Sequence, residues 1–111
     1  MAGAPLGLLH GLPLGVKDLE DTAGLLTTFG SPIHRGNVPA ADNVLVRRLR
    51  AAGAIVAGKT NVPEMGAGAN TRNPVWGATG NPFDNRLNAG GSSGGSAAAA
   101  YLARWLRHMA G

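Results

Sequence analysis

The chain has 111 residues, of which 44% are hydrophobic and 14% are charged, so one modest folded core is favoured over a disordered chain. The absence of cysteine excludes disulfides, thiolate zinc sites and a cysteine nucleophile, and without a leader or an apolar run of ~18 residues we expect an unprocessed cytoplasmic protein with no membrane segment. The net charge of +4 does not indicate a nucleic-acid partner, because aromatic residues make up only 5% of the chain and are not interleaved with the arginines.

The first predicted element is a short strand over residues 11–16, where Pro13 belongs at the start of the strand or on an unpaired edge. A helix follows, with Asp42 as its predicted N-cap and Gly53 as the residue that ends it. The helical spacing comes from Leu45, Leu49 and Ala52, and cations that complement the helix dipole come from Arg47, Arg48 and Arg50.

A second strand is predicted at residues 54–57, an apolar run that indicates a buried strand. Strand, helix and strand within this length indicate a parallel βαβ unit. Lys17 follows the first strand and Lys59 follows the second. Both lysines should therefore lie at the sheet edge where open α/β folds usually bind ligands.

The second half of the chain is predicted to be irregular until its last helix. Residues 63–65 indicate a short helix start, and residues 66–95 are rich in Gly, Asn and Pro without periodicity, which is typical of a functional or disordered loop. A helix is predicted over residues 97–109. Its apolar stripe consists of Ala98, Leu102, Trp105 and Met109, opposite Arg104, Arg107 and His108.

The most informative segment is the Gly/Ser run at residues 89–96, directly before that helix. Such runs are most often flexible linkers, but linkers do not usually continue into a strong helix. Glycines allow unusual backbone shapes there, and the helix N-terminus offers free N–H groups. The run is not a P-loop, because no G-K-[ST] arrangement follows the glycines.

Six sequence blocks resemble the amidase-signature family and occur in the order found in that family. They cover about residues 5–100, and the last residues, about 101–111, diverge from the family pattern. The resemblance implies an α/β fold, a mixed β-sheet covered by helices on both faces, of which residues 1–111 form a single incomplete domain. The blocks are residues 11–18, 49–56, 58–64, 73–77, 81–84 and 90–96.

This resemblance implies hydrolysis of carbon–nitrogen bonds in a small-molecule carboxamide by a Ser–Ser–Lys triad, with no cofactor and no metal. Lys17 matches the family's base, and Ser92 matches the bridging serine that follows a cis peptide bond. One alternative is the amidase subunit of a glutamine-dependent tRNA amidotransferase. Another is a non-catalytic remnant that acts through association.

Chemistry gives this triad a reason. A serine hydroxyl is a weak nucleophile until a base takes its proton, and a lysine serves as that base only when it is neutral. A second serine can accept a hydrogen bond from one group and donate to the other, so it can relay the proton.

The family's nucleophilic serine belongs to a later Gly-Gly-Ser block, and no Ser, Thr or Cys follows Ser96. We therefore expect the isolated chain to be inactive and prone to self-association through uncovered sheet and helix faces.

Further site residues are assigned on the same resemblance. Ser93, Gly91 and Gly94 are expected to support the site, and Ser96 is expected to cap the helix. Residues 65–67 are expected to line the acyl pocket by family analogy, with a core role for Met65 as the alternative. The pocket residues are Met65, Gly66 and Ala67.

Two rival sites compete with Lys17 and Ser92. Lys59 also ends a strand, and the family match is what favours a structural role for it. A Ser-His-Asp triad built from Asp18 or Asp84 is disfavoured, because the nucleophile motif G-x-S-x-G is absent. Zinc spacing such as H-E-x-x-H is also absent among the histidines, which are His10, His34 and His108.

Overall fold

The computed structural model describes residues 5–110, apart from the side chains at positions 105, 107 and 110. Two helices, six strands and two short 3₁₀ turns make up the described chain. The strands are β1 (Pro13–Lys17), β2 (Ile55–Thr60), β3 (Arg72–Asn73), β4 (Gly77–Ala78), β5 (Gly80–Asn81) and β6 (Asp84–Asn88). The helices are α1 (Val44–Ala51) and α2 (Gly94–Ala110), and the 3₁₀ turns are Pro32–His34 and Glu64–Gly66.

β1 and β2 pair in parallel with α1 between them along the chain, which confirms the predicted βαβ unit. Pro13 is the first residue of β1, where its missing N–H is tolerated. The register shifts between Leu14 and Gly15, so that Ala57 of β2 has no partner on β1. The pairs are Pro13 with Ile55, Leu14 with Val56, Gly15 with Gly58, Val16 with Lys59, and Lys17 with Thr60.

The N-cap of α1 is Asn43 and not Asp42, so the predicted start of the helix was wrong by one residue. The Asn43 side chain accepts a hydrogen bond of 2.9 Å from the Val46 N–H. The Asp42 carboxylate instead accepts one from the Ala23 N–H and pairs with Arg50. Asp and Asn are equally good caps, so two adjacent candidates cannot be ranked from the sequence.

Gly53 ends α1 as predicted, with a positive φ of 101° that favours glycine. The packing of this helix depends on Val46, which is fully buried, whereas Leu45 is 52% exposed. β2 was expected to be buried, and this was wrong for Ile55, which is 60% exposed. The side chains of Leu45 and Ile55 both lie on surfaces that no other described element covers.

The stretch over residues 66–95 is not a continuous loop. β3 pairs with β4 and β5 pairs with β6, both antiparallel. Three of these strands contain only two residues, which is too short to show the alternation that predicts a strand. The 3₁₀ turn Glu64–Gly66 corresponds to the predicted short helix start.

α2 starts at Gly94, three residues before the predicted start, so Ser96 lies inside the helix and does not cap it. Glycines are weak helix formers, so the first turn of α2, which begins with two glycines, could not be predicted from helix propensity. Of the predicted apolar stripe, Ala98 is buried, while Leu102 and Met109 are 47% and 70% exposed. The Trp105 side chain lies outside the described residues.

The buried core of the described chain is small. Its apolar members are no larger than valine, and the molecule measures 49 × 39 × 18 Å along its principal axes. Within the described part of the chain, none of the helices has both the length and the apolar character needed to cross a membrane. The core consists of Val16, Val46, Ala54, Val62 and Ala98.

Candidate active site

The end of β1 and the segment before α2 bring together three predicted site residues. The Lys17 ammonium donates a hydrogen bond of 2.8 Å to the Ser92 hydroxyl oxygen. It donates a second, of 3.0 Å, to the hydroxyl oxygen of Ser93. The peptide bond between Gly91 and Ser92 is cis. A strand-end amine and two hydroxyls thus form one polar cluster.

The glycines on either side of the Ser92–Ser93 pair are required by close contacts with residues 69–71. A Cβ at Gly91 would lie 2.7 Å from the Ala69 carbonyl oxygen. A Cβ at Gly94 would lie 2.3 Å from the Thr71 hydroxyl oxygen. Neither distance is compatible with a side chain, so the segment that carries Ser92 can pack directly against residues 69–71 only with glycine at both positions.

Thr71 is a site residue that the sequence did not reveal. Its hydroxyl donates a hydrogen bond of 2.7 Å to the Gly90 carbonyl and accepts one of 2.9 Å from the Gly94 N–H. Its own backbone N–H also donates to the Gly90 carbonyl. The threonine is 2% exposed. In the sequence it is one polar residue in an aperiodic stretch, and no local signal sets it apart.

The first turn of α2 packs against the end of β2. The hydroxyl oxygens of Ser96 and Thr60 are 2.7 Å apart and share a hydrogen bond. A Cβ at Gly95 would lie 2.3 Å from the Asn61 backbone nitrogen. This contact holds the helix start over the same strand pair that carries Lys17.

Lys59 lies in a separate cluster, because the register pairs Lys59 with Val16 and Lys17 with Thr60, and neighbouring residues of a strand face opposite sides. Its ammonium donates hydrogen bonds to the Glu20 carbonyl and the hydroxyls of two threonines. Burial lowers the pKa of Lys59, while nearby carboxylates act in the opposite direction. These contacts fit the structural role expected for Lys59. The threonines are Thr22 and Thr27, and the carboxylates are those of Asp18, Asp21, Glu20 and Asp42.

The carboxylates that a Ser-His-Asp triad would use are engaged elsewhere. Asp18 is 3% exposed and accepts hydrogen bonds from the backbone N–H and the hydroxyl of Thr28 and from the Trp76 indole N–H. Asp84 pairs with Arg86 at 2.7 Å on the surface. Among the described residues, neither carboxylate accepts a hydrogen bond from a histidine.

A cavity of about 470 Å³ opens beside Asp18 and Lys59, and not beside Met65. It is lined by apolar side chains and a few polar groups, including Leu25, Leu26, Trp76 and Asn61. Met65 has a positive φ of 52° and is 57% exposed, so it does not belong to the buried core of the described chain.

The other two residues of the expected pocket, Gly66 and Ala67, do not line the cavity either. A Cβ at Gly66 would lie 2.7 Å from a Leu19 side-chain carbon, so glycine at this position permits close packing. Among the described residues, no group of three or more His, Asp or Glu side chains could hold a metal ion.

Comparisons with known proteins agree on one family. A family model described as Amidase matches residues 1–103. A subunit of the glutamyl-tRNA(Gln) amidotransferase of Acaryochloris marina is 47% identical over 98 residues, which are 88% of this chain and 20% of that protein. The chain therefore spans about a fifth of the length of this relative.

Two solved structures superpose closely on the chain. One is an inhibitor-bound vestigial protein complex that reveals the evolutionary origins of an s-triazine catabolic enzyme, with a TM-score of 0.80 and 49% identity over 87% of this chain and 21% of that chain. The other is 6-aminohexanoate cyclic dimer hydrolase, with a TM-score of 0.78 and 41% identity over 84% of this chain and 20% of that chain.

Proposed function

The chain belongs to the amidase family, and from this premise we propose that it supplies the lysine and the bridging serine of a hydrolase that cleaves carbon–nitrogen bonds in carboxamides. Its α/β fold is a part of the amidase-signature fold. The proposed substrate is a small-molecule amide and the proposed location is the cytoplasm.

The observation that carries this proposal is the hydrogen bond of 2.8 Å between the Lys17 amine and the Ser92 hydroxyl, which joins residues 75 positions apart. Lys17 is fixed by the strand pair and Ser92 by the turn before α2. Two separate elements therefore converge on one amine–hydroxyl contact, which is the arrangement that a proton relay needs.

In the proposed reaction, the neutral form of Lys17 accepts the Ser92 hydroxyl proton, so Ser92 becomes the donor of the hydrogen bond between them, and Ser92 in turn takes the proton of the attacking hydroxyl. That hydroxyl oxygen bonds to the amide carbon, the carbon–nitrogen bond breaks, and the proton returns through Ser92 to the leaving nitrogen. Water then hydrolyses the acyl-enzyme. Residues 97–111 contain no Ser, Thr or Cys, so none of these residues supplies the attacking hydroxyl.

Other site residues have supporting roles in this proposal. The Ser93 hydroxyl oxygen accepts a hydrogen bond of 3.0 Å from the Lys17 side-chain nitrogen, and this bond orients Lys17 toward Ser92. Gly91 and Gly94 allow the close approach of the backbone around Ser92. The family analogy remains the support for an acyl pocket at Met65, Gly66 and Ala67.

A chimera tests the proposal. Residues 5–100 replace the matching segment of 6-aminohexanoate cyclic dimer hydrolase, which is 41% identical. We expect the chimera to hydrolyse its amide substrate, and Lys17→Ala and Ser92→Ala each to lower kcat by about 10³-fold or more. Ser31→Ala is the matched control, since Ser31 is buried and hydrogen-bonded to Glu64 away from Lys17. A chimera whose rate does not depend on Lys17 contradicts the proposal.

The chain itself is tested with a fluorophosphonate probe and mass spectrometry. We expect no adduct, because Ser92 relays a proton and does not attack. An adduct on one of the serines of the Gly/Ser run that is abolished by Lys17→Ala would show a nucleophile within the chain and contradict the relay role. The serines concerned are Ser92, Ser93 and Ser96.

The similarity to a component of a tRNA amidotransferase favours a second candidate, a subunit that releases ammonia for transamidation. In that case the protein works with partner subunits, and the exposed faces of the chain provide surfaces for association. The two candidates differ in a chimera with that relative, since only the second predicts glutamine-dependent amidation of a tRNA-linked substrate. If neither chimera is active, the remaining candidate is a non-catalytic role through association.

A further inference from the structure

The segment that carries Ser92 has almost no side chains with which to hold itself in place. Residues 89–96 are alanine, glycine and serine only. Glycine-rich backbone has high conformational freedom, so its position must come from external contacts. A hydroxyl that must stay 2.8 Å from the Lys17 amine needs such a contact close by.

Thr71 provides contacts on both sides of Ser92. Its hydroxyl donates to the carbonyl of Gly90, two residues before Ser92, and accepts from the N–H of Gly94, two residues after it. One side chain thus bridges the two ends of a five-residue loop. At 2% exposure, the hydroxyl makes both bonds away from competing water.

Thr71 is itself fixed by the hairpin that follows it. Its carbonyl accepts a hydrogen bond of 3.0 Å from the Thr79 N–H, just beyond β4. On the other side, the Thr71 N–H donates to the Gly90 carbonyl of the serine loop. The threonine therefore transmits the position of the β3–β4 hairpin to the serine loop. A hydrogen-bonded contact with two partners on one loop restricts that loop more than either bond alone.

From these contacts we propose that Thr71 is a positioning residue that sets the distance between Ser92 and Lys17. The proposal rests on the proton relay described above, although its geometric part can be tested without any catalytic measurement. Among the described residues, Thr71 makes no hydrogen bond to Lys17 or to the Ser92 side chain, and its hydroxyl bonds only to the backbone at Gly90 and Gly94.

The chain offers an internal control, because Lys17 and Lys59 are its only lysines. With ¹⁵N-lysine labelling, the side-chain ammonium groups give two NMR signals, one from the serine cluster and one from the threonine cluster around Lys59. Lys17→Arg and Lys59→Arg assign them. A change at Thr71 that acts only through positioning alters the first signal and spares the second.

The informative variant is Thr71→Val, which keeps the shape of the side chain and removes both hydroxyl bonds. We expect loss of the Lys17 ammonium signal through faster hydrogen exchange, and loss of the nuclear Overhauser contact between Lys17 and Ser92. The Lys59 signal should not change. Thr71→Ser keeps the hydroxyl and should restore both Lys17 observations.

Gly94→Ala provides a second route, since its Cβ would lie 2.3 Å from the Thr71 hydroxyl oxygen and displace it. It should reproduce the effect of Thr71→Val. Unchanged Lys17 signals in both variants would overturn the proposal. So would equal loss of both lysine signals, or unfolding in both variants, because Thr71 would then serve folding only.

The two proposals can fail separately. If the Lys17 signals respond as expected but the chimera is inactive, the positioning role stands and the hydrolase assignment falls. If the activity of the chimera depends on Lys17 and Ser92 but the Lys17 signals do not change in the Thr71 variants, the hydrolase assignment stands and the positioning role falls.

Discussion

Asp18 directly follows the site lysine, yet its carboxylate belongs to a buried cluster of its own. It accepts hydrogen bonds from the Thr28 N–H at 2.9 Å, from the Thr28 hydroxyl and from the Trp76 indole. Hydrogen bonds to a charged group are stronger than neutral ones, and their loss leaves buried donors without partners. The loop that contains Thr28 is thereby attached to the end of β1.

We therefore expect Asp18→Ala to lower the free energy of unfolding by about 2–4 kcal/mol, measured by urea denaturation. Asp84→Ala is the matched control and should leave it unchanged, because the Asp84–Arg86 pair lies on the surface. Equal midpoints for the two variants would mean that the buried cluster contributes nothing to stability.

The second residue-scale prediction concerns pH and Lys59, whose pKa is lowered from its usual 10.5 chiefly by burial. Between the lowered pKa of the folded chain and the ordinary pKa of the unfolded chain, the unfolded state binds more protons. The contribution of Lys59 to the free energy of unfolding therefore rises with pH across that window.

Lys59→Met carries no titrating amine and isolates this effect, because all other groups are common to both proteins. As the pH rises toward the ordinary lysine pKa of 10.5, the stability of the original chain should increase relative to Lys59→Met in parallel urea titrations. A difference that is constant or decreases with pH would show that burial does not lower the pKa of Lys59.

At the residue scale, the sequence identified Lys17 and Ser92 only through the resemblance to a family. Lys17 and Lys59 have the same local setting, a lysine at the end of a short strand, and no local pattern separates them. The roles assigned to Lys17 and Ser92 stay predictions, although the structure places the two side chains in contact. Thr71 was missed because its importance comes from backbone groups distant in sequence.

At the element scale, α2 depends on glycine where it crosses β2. A Cβ at Gly95 would lie 2.3 Å from the Asn61 nitrogen and 2.7 Å from the Asn61 carbonyl oxygen, and backbone atoms cannot rotate away. Gly95→Ala should therefore lower the free energy of unfolding by about 1–3 kcal/mol, although alanine is the better helix former.

Gly36→Ala is the control for this change, since no atom lies within 4 Å of its Cβ position. It should be neutral or slightly stabilising in the same urea titration. If Gly95→Ala were as stable as Gly36→Ala, the helix start would have to shift away from β2, and the contact between Ser96 and Thr60 would be lost.

The elements that the sequence predicted are those whose pattern repeats over several residues. The parallel βαβ unit and the final helix contain enough residues for periodicity to show, and both exist. The β3–β4 and β5–β6 pairs depend on single turns and on distant hydrogen bonds, so their sequences carry no period. Burial was predicted less well than element type, because it depends on what covers each surface.

At the scale of the whole molecule, the described fold is thin and open. Its accessible surface is 7339 Å², where a compact protein of 11.2 kDa exposes roughly 5700 Å². Large apolar side chains contribute to this surface, as on α2, where Leu102, Leu106 and Met109 are exposed. Exposed apolar patches of this kind favour association.

Sedimentation velocity of the isolated chain should therefore show concentration-dependent association. A double variant, Leu102→Gln with Leu106→Gln, should shift the distribution toward monomer. Ile33→Gln is the control, because Ile33 is 87% exposed on a separate 3₁₀ turn. A chain that remains monomeric at high concentration would contradict the expected self-association.

The unpaired Ala57 in the β1–β2 ladder determines which residues of the two strands stand opposite each other, and so share a face, in every later pair. If Ala57 instead stood opposite Gly15, position 59 would stand opposite position 17, and two ammonium groups would crowd one side of the ribbon. Because one residue is skipped, Lys59 stands opposite Val16 and Lys17 stands opposite Thr60, so the two lysine side chains lie on opposite sides of the strand pair. Removing Ala57 would leave this separation intact, whereas a slip that paired it would merge the two environments with every side chain still present.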